Sequence, residues 1–139
     1  MILLDTNIIS ETMRPMPSPI VLEWLNRQPV DSLFVSAITV GEIEYGLRIL
    51  PAGKRRDALI ERYREFMSRG FDGRILVYDD SAAHGYGEIM GYRKELGRPM
   101  SIPDGQIAAI AKSKGLILAT RNTDDFVASG LHLINPFVA

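Results

Sequence analysis

Four side chains with carboxylate or amide oxygens stand where a predicted strand ends or a predicted helix begins. They are Asp5, Glu42, Asp104 and Asn122. Carboxylates gathered at one edge of a sheet repel one another unless a cation lies between them. Oxygen ligands without His or Cys select hard divalent ions such as Mg²⁺ or Mn²⁺. The sequence therefore predicts a divalent-cation site, with Mg²⁺ as the expected metal and Mn²⁺ as the alternative.

Each acid also has a purely structural explanation. Asp5 suits the N-cap of a helix that starts near Asn7. Glu42 suits the third position of a capping box that begins at Thr39. Asp104 suits the first turn of a helix, where the helix dipole favours a negative charge. Only the joint pattern, in which every acid lies near a strand end or helix start, favours a metal site over separate caps.

The elements that must position these residues alternate between strands and helices. Short apolar runs predict five strands, over residues 2–4, 33–36, 75–78, 116–120 and 131–134. Apolar periodicity and capping residues predict helices over residues 19–28, 40–50, 54–68, 80–96 and 103–113. Apolar runs without polar alternation are typical of parallel strands covered on both faces. We therefore expect an α/β fold, a three-layer α/β/α sandwich around a central, mostly parallel sheet of four to five strands.

Right-handed crossovers would bring the candidate residues to one rim of this sheet. Ligands of open parallel sheets bind beyond the carboxyl ends of the strands. Asp5 and Asn122 leave strands at that end, and Glu42 and Asp104 lie in early helical turns beside it. Because Mg²⁺ takes one or two carboxylates directly and keeps several waters, such a site leaves room for a phosphate oxygen and an attacking water.

Length and composition exclude several other classes of protein. The 139 residues predict one domain, over residues 1–139. The absence of cysteine excludes disulfides, thiolate zinc sites and cysteine nucleophiles. A net charge of −1 gives no general attraction to nucleic acid, so an anionic substrate needs local patches or a metal. Since no membrane-span or signal-peptide pattern is present, we expect a cytoplasmic protein without membrane contact.

Four motifs in this order resemble the PIN-domain nucleases, and in particular the FitB-like group of the VapC toxins of bacterial toxin–antitoxin pairs. The motifs are Asp5-Thr6-Asn7, residues 36–42 ending in Glu42, residues 103–109 with Asp104, and residues 119–126 with Thr120, Arg121, Asn122 and Asp125. The resemblance covers nearly the whole chain. It implies a PIN-like fold, Mg²⁺-dependent cleavage of RNA phosphodiester bonds, a homodimer, and inhibition by a small DNA-binding antitoxin of the VapB type.

The resemblance also assigns roles to individual residues. Asp5, Glu42 and Asp104 match the catalytic and metal-binding positions of the family. Asn122 stands where many relatives carry Asp, and its neutral amide is a poorer metal ligand that can still hold a metal-bound water. Asp125 either supports the metal in place of Asn122 or caps a short helix of its own.

Three further side chains complete the expected site. Asn7 and Thr120 support it, and the Thr120 hydroxyl matches a family position that helps to orient the site. Arg121 either contacts phosphate or pairs with Asp124 or Asp125.

The expected chemistry is hydrolysis of the RNA backbone. A bound divalent ion polarises a phosphoryl oxygen and lowers the pKa of a water. Either Glu42 or Asp5 takes the proton of that water. In-line attack then leaves a 5′-phosphate and a 3′-hydroxyl.

Three other functions compete with the nuclease. A phosphatase of the haloacid dehalogenase type also begins with an apolar strand and Asp, but it needs a second Asp where this chain has Asn7. A receiver domain is suggested by Asp79 and Asp80 after a strand, although the order of elements disagrees. The neutral Asn122 favours the third alternative, a domain with a degenerate site that binds RNA or protein without cleaving it.

Overall fold

The computed structural model describes residues 1–138, so Ala139, the last residue of the expected domain, lies outside the described residues. The strands are β1 (Ile2–Leu4), β2 (Leu33–Ser36), β3 (Ile75–Leu76), β4 (Ile117–Ala119) and β5 (Leu133–Ile134). The helices are α1 (Thr6–Met13), α2 (Pro19–Arg27), α3 (Ala37–Arg48), α4 (Lys54–Ser68), α5 (Asp80–Glu95) and α6 (Ile102–Lys114). Among residues 1–138, no helix combines the length and the apolar character needed to cross a membrane.

The five strands form one parallel sheet in the order β3-β2-β1-β4-β5. This arrangement confirms the predicted α/β/α sandwich and its central sheet. Strand β1 pairs with β2 on one side and with β4 on the other, so the chain order reverses between β1 and β4. In open parallel sheets this reversal opens a crevice beyond the carboxyl ends of the two strands.

Helices cover both faces of the sheet, which explains why the strands are continuously apolar. Ile2 and Leu4 of β1 pack into the core cluster formed with α1, α2, α3 and α4. Leu3, between them, points to the opposite face and packs into the cluster formed with α5 and α6. Since successive side chains of a strand alternate between faces, a strand covered on both faces needs an apolar residue at every position.

Helix α3 begins one turn earlier than predicted, and this corrects the capping-box interpretation of Glu42. Its N-cap is Ser36, whose hydroxyl accepts a hydrogen bond from the Thr39 N–H at 3.1 Å. Because the helix starts at Ala37, Glu42 lies in the second turn, too far along to cap the unpaired N–H groups of the first. Capping therefore does not explain why an acid stands at this position.

The start of α6 agrees with its prediction. Ser101 is the N-cap and its hydroxyl accepts from the Asp104 N–H at 3.3 Å, so Asp104 lies in the first turn. The next residue, Gly105, lies against Tyr86 and Met90 of α5, where any larger side chain would collide with Met90. The close contact between α5 and α6 thus fixes where the start of α6, and with it Asp104, meets the edge of the sheet.

Candidate active site

A cleft of about 490 Å³ opens at the carboxyl ends of β1 and β4, where the strand order reverses. Seven of the residues singled out from the sequence line it: Asp5, Asn7, Glu42, Asp104, Arg121, Asn122 and Asp125. Thr120 is fully buried and contacts the cleft through Asp5. Residues that lie far apart in the sequence therefore share one site.

Asp5 is both a helix cap and a cleft residue. It is the N-cap of α1, and its Oδ1 accepts from the Thr6 N–H at 2.8 Å. Its Oδ2 accepts from the Thr120 hydroxyl at 2.8 Å and from the Asn7 amide at 3.2 Å. The side chain is only 4% exposed. The structural and the functional interpretations of Asp5 are therefore compatible.

The electrostatic setting of Asp5 is unusual for an aspartate. Burial raises the pKa of Asp5 to about 6, the hydrogen bonds from Thr120 and Thr6 oppose that rise, and the charges of Asp104 and Glu42 add to it. The two other acids that match the family motifs, Asp104 and Glu42, are therefore close enough to repel an ionised Asp5. A cation placed among them would relieve this repulsion and favour the ionised form.

Glu42 is held by a line of hydroxyl groups. The Thr6 hydroxyl donates to Glu42 Oε1 at 2.7 Å and lies 2.9 Å from the Thr39 hydroxyl, which accepts from the Ser36 hydroxyl at 3.3 Å. Because Thr6 donates its single hydroxyl hydrogen to Glu42, the hydrogen between Thr6 and Thr39 comes from Thr39. This line orients an exposed glutamate from the buried end of β2.

Asp104 lies half-buried at the start of α6, beside the other acids. Burial raises the pKa of Asp104, and the charges of Asp125 and Glu42 raise it further, while the Ser101 hydroxyl and the positive charge of Arg93 lower it. The carboxylates of Asp104, Asp125 and Glu42 therefore lie close enough for each charge to act across the cleft.

Asn122 precedes a 3₁₀ helix, Thr123–Phe126, that follows β4 and contains Asp125. The Asn122 N–H donates to the Thr120 hydroxyl at 3.1 Å, whereas its side chain makes no capping hydrogen bond. Asp125 lies inside this helix and its N–H donates to the Asn122 carbonyl at 3.0 Å. The alternative in which Asp125 caps the helix is therefore wrong, because Asn122 occupies the cap position.

Asn7 joins the ends of β1 and β4. Its amide nitrogen lies 3.2 Å from Asp5 Oδ2 and 3.4 Å from the Thr120 hydroxyl, and donates to both. Its Oδ1 accepts from the Arg121 N–H at 3.1 Å. Both ends of this amide are therefore used in fixing the geometry around Asp5.

Arg121 forms no ion pair with an acidic side chain among the described residues. Among residues 1–138 no ion pair joins it to Asp124 or Asp125, so that alternative is wrong. Its guanidinium instead lies over the ring of Phe137, 4.7 Å from the ring centre. The exposed cation is thereby held at the rim of the cleft.

Two charged residues at the cleft carried no recognisable signal in the sequence. Glu11 is 5% exposed and accepts hydrogen bonds from the Ser18 N–H at 2.8 Å and from the Arg14 guanidinium at 3.2 Å. These contacts tie α1 to the start of α2 and place Arg14 at the rim. Neither residue belongs to a motif, and their position depends on a helix-to-helix contact that the local sequence does not specify.

The donor set suits a hard divalent cation, but it is not a closed cage. In the described part of the chain, no three His, Cys, Asp or Glu side chains are already grouped closely enough to hold a metal ion. The lining nevertheless contains five carboxylates and only two guanidiniums. Mg²⁺ suits such an open arrangement, because it binds through one or two carboxylates and retains several waters.

The family profile described as "PIN domain" matches residues 2–128, which is most of the chain. The chain belongs to the PIN-domain family. The toxin FitB of Neisseria gonorrhoeae is 42% identical to it over 137 residues, covering 99% of each chain. The VapC ribonuclease Y4jK of Sinorhizobium fredii is 42% identical over 137 residues, covering 99% of this chain and 98% of the relative.

A solved structure leads to the same PIN-domain group. The FitAB complex bound to an IR36 DNA fragment superimposes with a TM-score of 0.90 at 41% identity, covering 99% of this chain and 96% of that one. These similarities confirm the resemblance to the VapC and FitB group. They argue against the phosphatase and the receiver domain as the function of this chain. Asp79, which suggested a receiver domain, caps α5 by accepting from the Ala82 N–H at 2.9 Å.

Proposed function

We propose that this PIN-domain protein is a metal-dependent endoribonuclease that hydrolyses RNA phosphodiester bonds and acts as the toxin of a toxin–antitoxin pair. One observation carries the proposal: buried Asp5, with its pKa raised to about 6, shares a cleft at the β1–β4 reversal with Glu42 and Asp104. Relatives named ribonuclease and toxin cover almost the full length of the chain, which supports a single nuclease domain over residues 1–139.

The charge distribution of the cleft supports a polyanionic substrate that binds together with a cation. The acids lie within the cleft, and Arg14 and Arg121 lie among its lining with exposed side chains. A phosphate would be repelled by the acids alone, since like charges at close range are destabilising. With a divalent ion among the acids, the two arginines become contacts for the neighbouring phosphates of an RNA strand.

Asp5, Glu42 and Asp104 are the residues that would hold Mg²⁺, or Mn²⁺ in its place. Asn122 is the neutral fourth oxygen donor, and Asp125 lies beside it. When bound, the ion supplies positive charge to the phosphoryl oxygens and acidifies a water. Thr120 and Asn7 both donate hydrogen bonds to Asp5 Oδ2 and so favour the ionised form that such an ion requires, against the burial that raises the pKa of Asp5.

Glu42 is the better candidate for the base that takes a proton from the attacking water. Both oxygens of Asp5 already accept hydrogen bonds from protein donors. Glu42 is exposed, and only its Oε1 is engaged, by Thr6. Its Oε2 therefore faces no competing donor among residues 1–138. Attack on phosphorus breaks the P–O3′ bond and leaves a 5′-phosphate and a 3′-hydroxyl.

The direct test is cleavage of end-labelled RNA by the purified protein. We expect cleavage with Mg²⁺ or Mn²⁺, none in EDTA, and products with 5′-phosphate ends. Glu42→Gln should abolish cleavage. Glu23→Gln is the matched control, because Glu23 is an exposed glutamate on α2 that lies outside the cleft lining and pairs with Arg27. Cleavage in EDTA, or a wild-type rate in Glu42→Gln, would contradict the proposal.

The proposed partners are a small DNA-binding antitoxin of the VapB type and a second copy of the chain, in the cytoplasm and without a membrane partner. The support is the likeness to the DNA-bound FitAB complex and to a relative named as a toxin. Expression of the chain alone should arrest bacterial growth, and Asp5→Asn should relieve the arrest. Light scattering on the purified protein tests the homodimer.

A further inference from the structure

Arg93 is a buried arginine whose guanidinium ends behind the acidic cleft. It lies in α5 and is 4% exposed. Its Nε donates to the Arg98 carbonyl at 2.6 Å, and its Nη1 donates to the carbonyls of Asp125 and Val127 at 2.9 and 2.8 Å. No carboxylate within residues 1–138 forms an ion pair with it. A buried charge is costly, so its placement against backbone carbonyls alone calls for an explanation.

The three carbonyls belong to the two segments that carry the acids of one side of the cleft. Arg98 lies in the loop that leads into α6 and therefore to Asp104. Asp125 and Val127 lie at the end of the 3₁₀ helix that Asn122 precedes. The guanidinium thus connects the start of α6 with the segment after β4, although these two segments are separate in the chain.

The charge of Arg93 is placed where the acids repel each other. The charge of Asp125 raises the pKa of Asp104, and the positive charge of Arg93 lowers it. A fixed positive charge behind the two acid-bearing segments opposes this repulsion. The planar guanidinium also donates in several fixed directions at once, which a lysine ammonium on a flexible stem does not reproduce.

We propose that Arg93 is a positioning residue that holds the Asn122–Asp125 segment beside Asp104 and thereby sets the affinity of the cleft for its divalent cation. The inference rests on the proposed function, because it concerns the cation site of the same nuclease. Arg93 does not touch the reacting atoms and acts through the residues that do.

The test is Mn²⁺ binding to the metal-free protein, followed by electron paramagnetic resonance. Arg93→Lys keeps the charge but loses the fork of donors, so its affinity for Mn²⁺ should fall about 10- to 100-fold, the usual effect of losing a partner behind a metal ligand. Arg74→Lys is the matched control: Arg74 Nε also donates to a backbone carbonyl, that of Leu33 at 2.8 Å, at the opposite end of the sheet. Its affinity should remain that of the wild type.

Amide hydrogen exchange supplies a readout that a general loss of stability would not reproduce. In Arg93→Lys the amides of residues 123–127 should exchange faster while those of β1 and α1 keep their protection. Arg93→Gln, which keeps an amide donor without charge, is the second variant and should weaken Mn²⁺ binding at least as much. Wild-type Mn²⁺ affinity in either folded variant would overturn the inference, as would an equal loss in Arg74→Lys.

The same titration separates this inference from the proposed function. A wild-type protein that binds no Mn²⁺ would refute the nuclease proposal itself. A wild-type protein that binds Mn²⁺, beside an Arg93→Lys variant that binds it equally well, would refute only the role of Arg93.

Discussion

The two walls of the cleft are built in different ways. On the first wall, which follows β1 and includes the α3 acid, hydrogen bonds between side chains fix Asp5 and Glu42, with Thr6 and Thr120 as the donors. On the second wall, formed by the start of α6 and the 3₁₀ helix after β4, helix geometry and backbone hydrogen bonds place the acids. Side-chain hydroxyls therefore orient the acids of the first wall, whereas the acids of the second wall depend on the backbone of the segments that carry them.

This difference suggests a division of labour between the walls. Groups that must be in place before the substrate arrives, such as the proton acceptor, belong on a rigid wall, because misplacement there costs rate directly. On the second wall the charge of Asp125 acts against ionised Asp104, and a bound cation would relieve that repulsion. The second wall should therefore respond most to metal, and the first wall most to loss of its hydroxyl groups.

The largest expected effect comes from removing one acid from each wall. Asp5→Asn and Asp104→Asn should each lower the rate of RNA cleavage by about 10²- to 10⁴-fold, the range for losing a group that acts in the transition state. The measurement is single-turnover cleavage by variants whose circular dichroism matches that of the wild type. Asp31→Asn, an exposed aspartate outside the cleft, is the control. Retained cleavage by Asp104→Asn would show that Asp104 is not essential.

The same pair of variants should differ in metal-free stability. Burial raises the pKa of Asp5 in the folded protein to about 6, from an ordinary value of 3.8. The folded protein therefore binds the extra proton between these pH values, and stability falls as pH rises from about 4 through 6. At pH 7 the difference amounts to about 3 kcal/mol, and Asp5→Asn should recover part of it.

Urea unfolding at pH 4 and pH 7 measures this effect. Asp5→Asn should flatten the pH dependence of the free energy of unfolding, and added Mg²⁺ should stabilise the wild type at pH 7 but not the variant. Asp104→Asn should recover less, because Asp104 is half-exposed. If the wild type is as stable at pH 7 as at pH 4 without metal, Asp5 does not carry the cost assigned to it.

A smaller effect tests the hydroxyl groups that hold the acids of the first wall. Thr120→Val removes the shorter of the two hydrogen bonds to Asp5 Oδ2 and should lower Mn²⁺ affinity about 10-fold, at the low end for a residue behind a metal ligand. Thr12→Val is the matched control, because the Thr12 hydroxyl donates to the Ile9 carbonyl within α1 and Thr12 is not part of the cleft lining. Calorimetric titration that finds equal affinities for the two variants would remove the claim that the first wall depends on its hydroxyls.

The smallest expected effect concerns the charge of the second wall. Asn122→Asp adds a carboxylate beside Asp125 and should raise Mn²⁺ affinity about 3- to 10-fold, since the affinity of oxygen sites grows with ligand charge. Metal-free stability should fall slightly because the new charge adds to the repulsion. An unchanged or weaker affinity for Mn²⁺ would indicate that position 122 does not face the cation.

The first wall was largely predictable from sequence. An apolar strand that ends in Asp5 and alternates with later helices specifies a parallel sheet, and the rim of that sheet follows from the handedness of the crossovers. The N-cap role of Asp5 was likewise readable, because capping depends on neighbouring residues only. Local signals were enough for these features.

The contacts behind both walls were not predictable. Thr6 donates to Glu42 from 36 positions away, and Arg93 reaches the carbonyl of Asp125 across 32 positions. Such pairs form only when the helices have packed, and no periodicity or cap reports them. The start of α3 was missed for a related reason, since Ser36 lies in an apolar strand and its capping role is visible only once the strand ends.

The central claim is that Asp5, Glu42 and Asp104 share one divalent cation. The most direct measurement is anomalous diffraction from crystals grown with MnCl₂. We predict a manganese peak in the cleft, with carboxylate oxygens of both Asp5 and Asp104 within about 2 to 2.5 Å of the ion, the range for oxygen ligands of divalent cations. A peak that contacts neither carboxylate, or a cleft that holds no manganese at saturating concentration, would contradict the account.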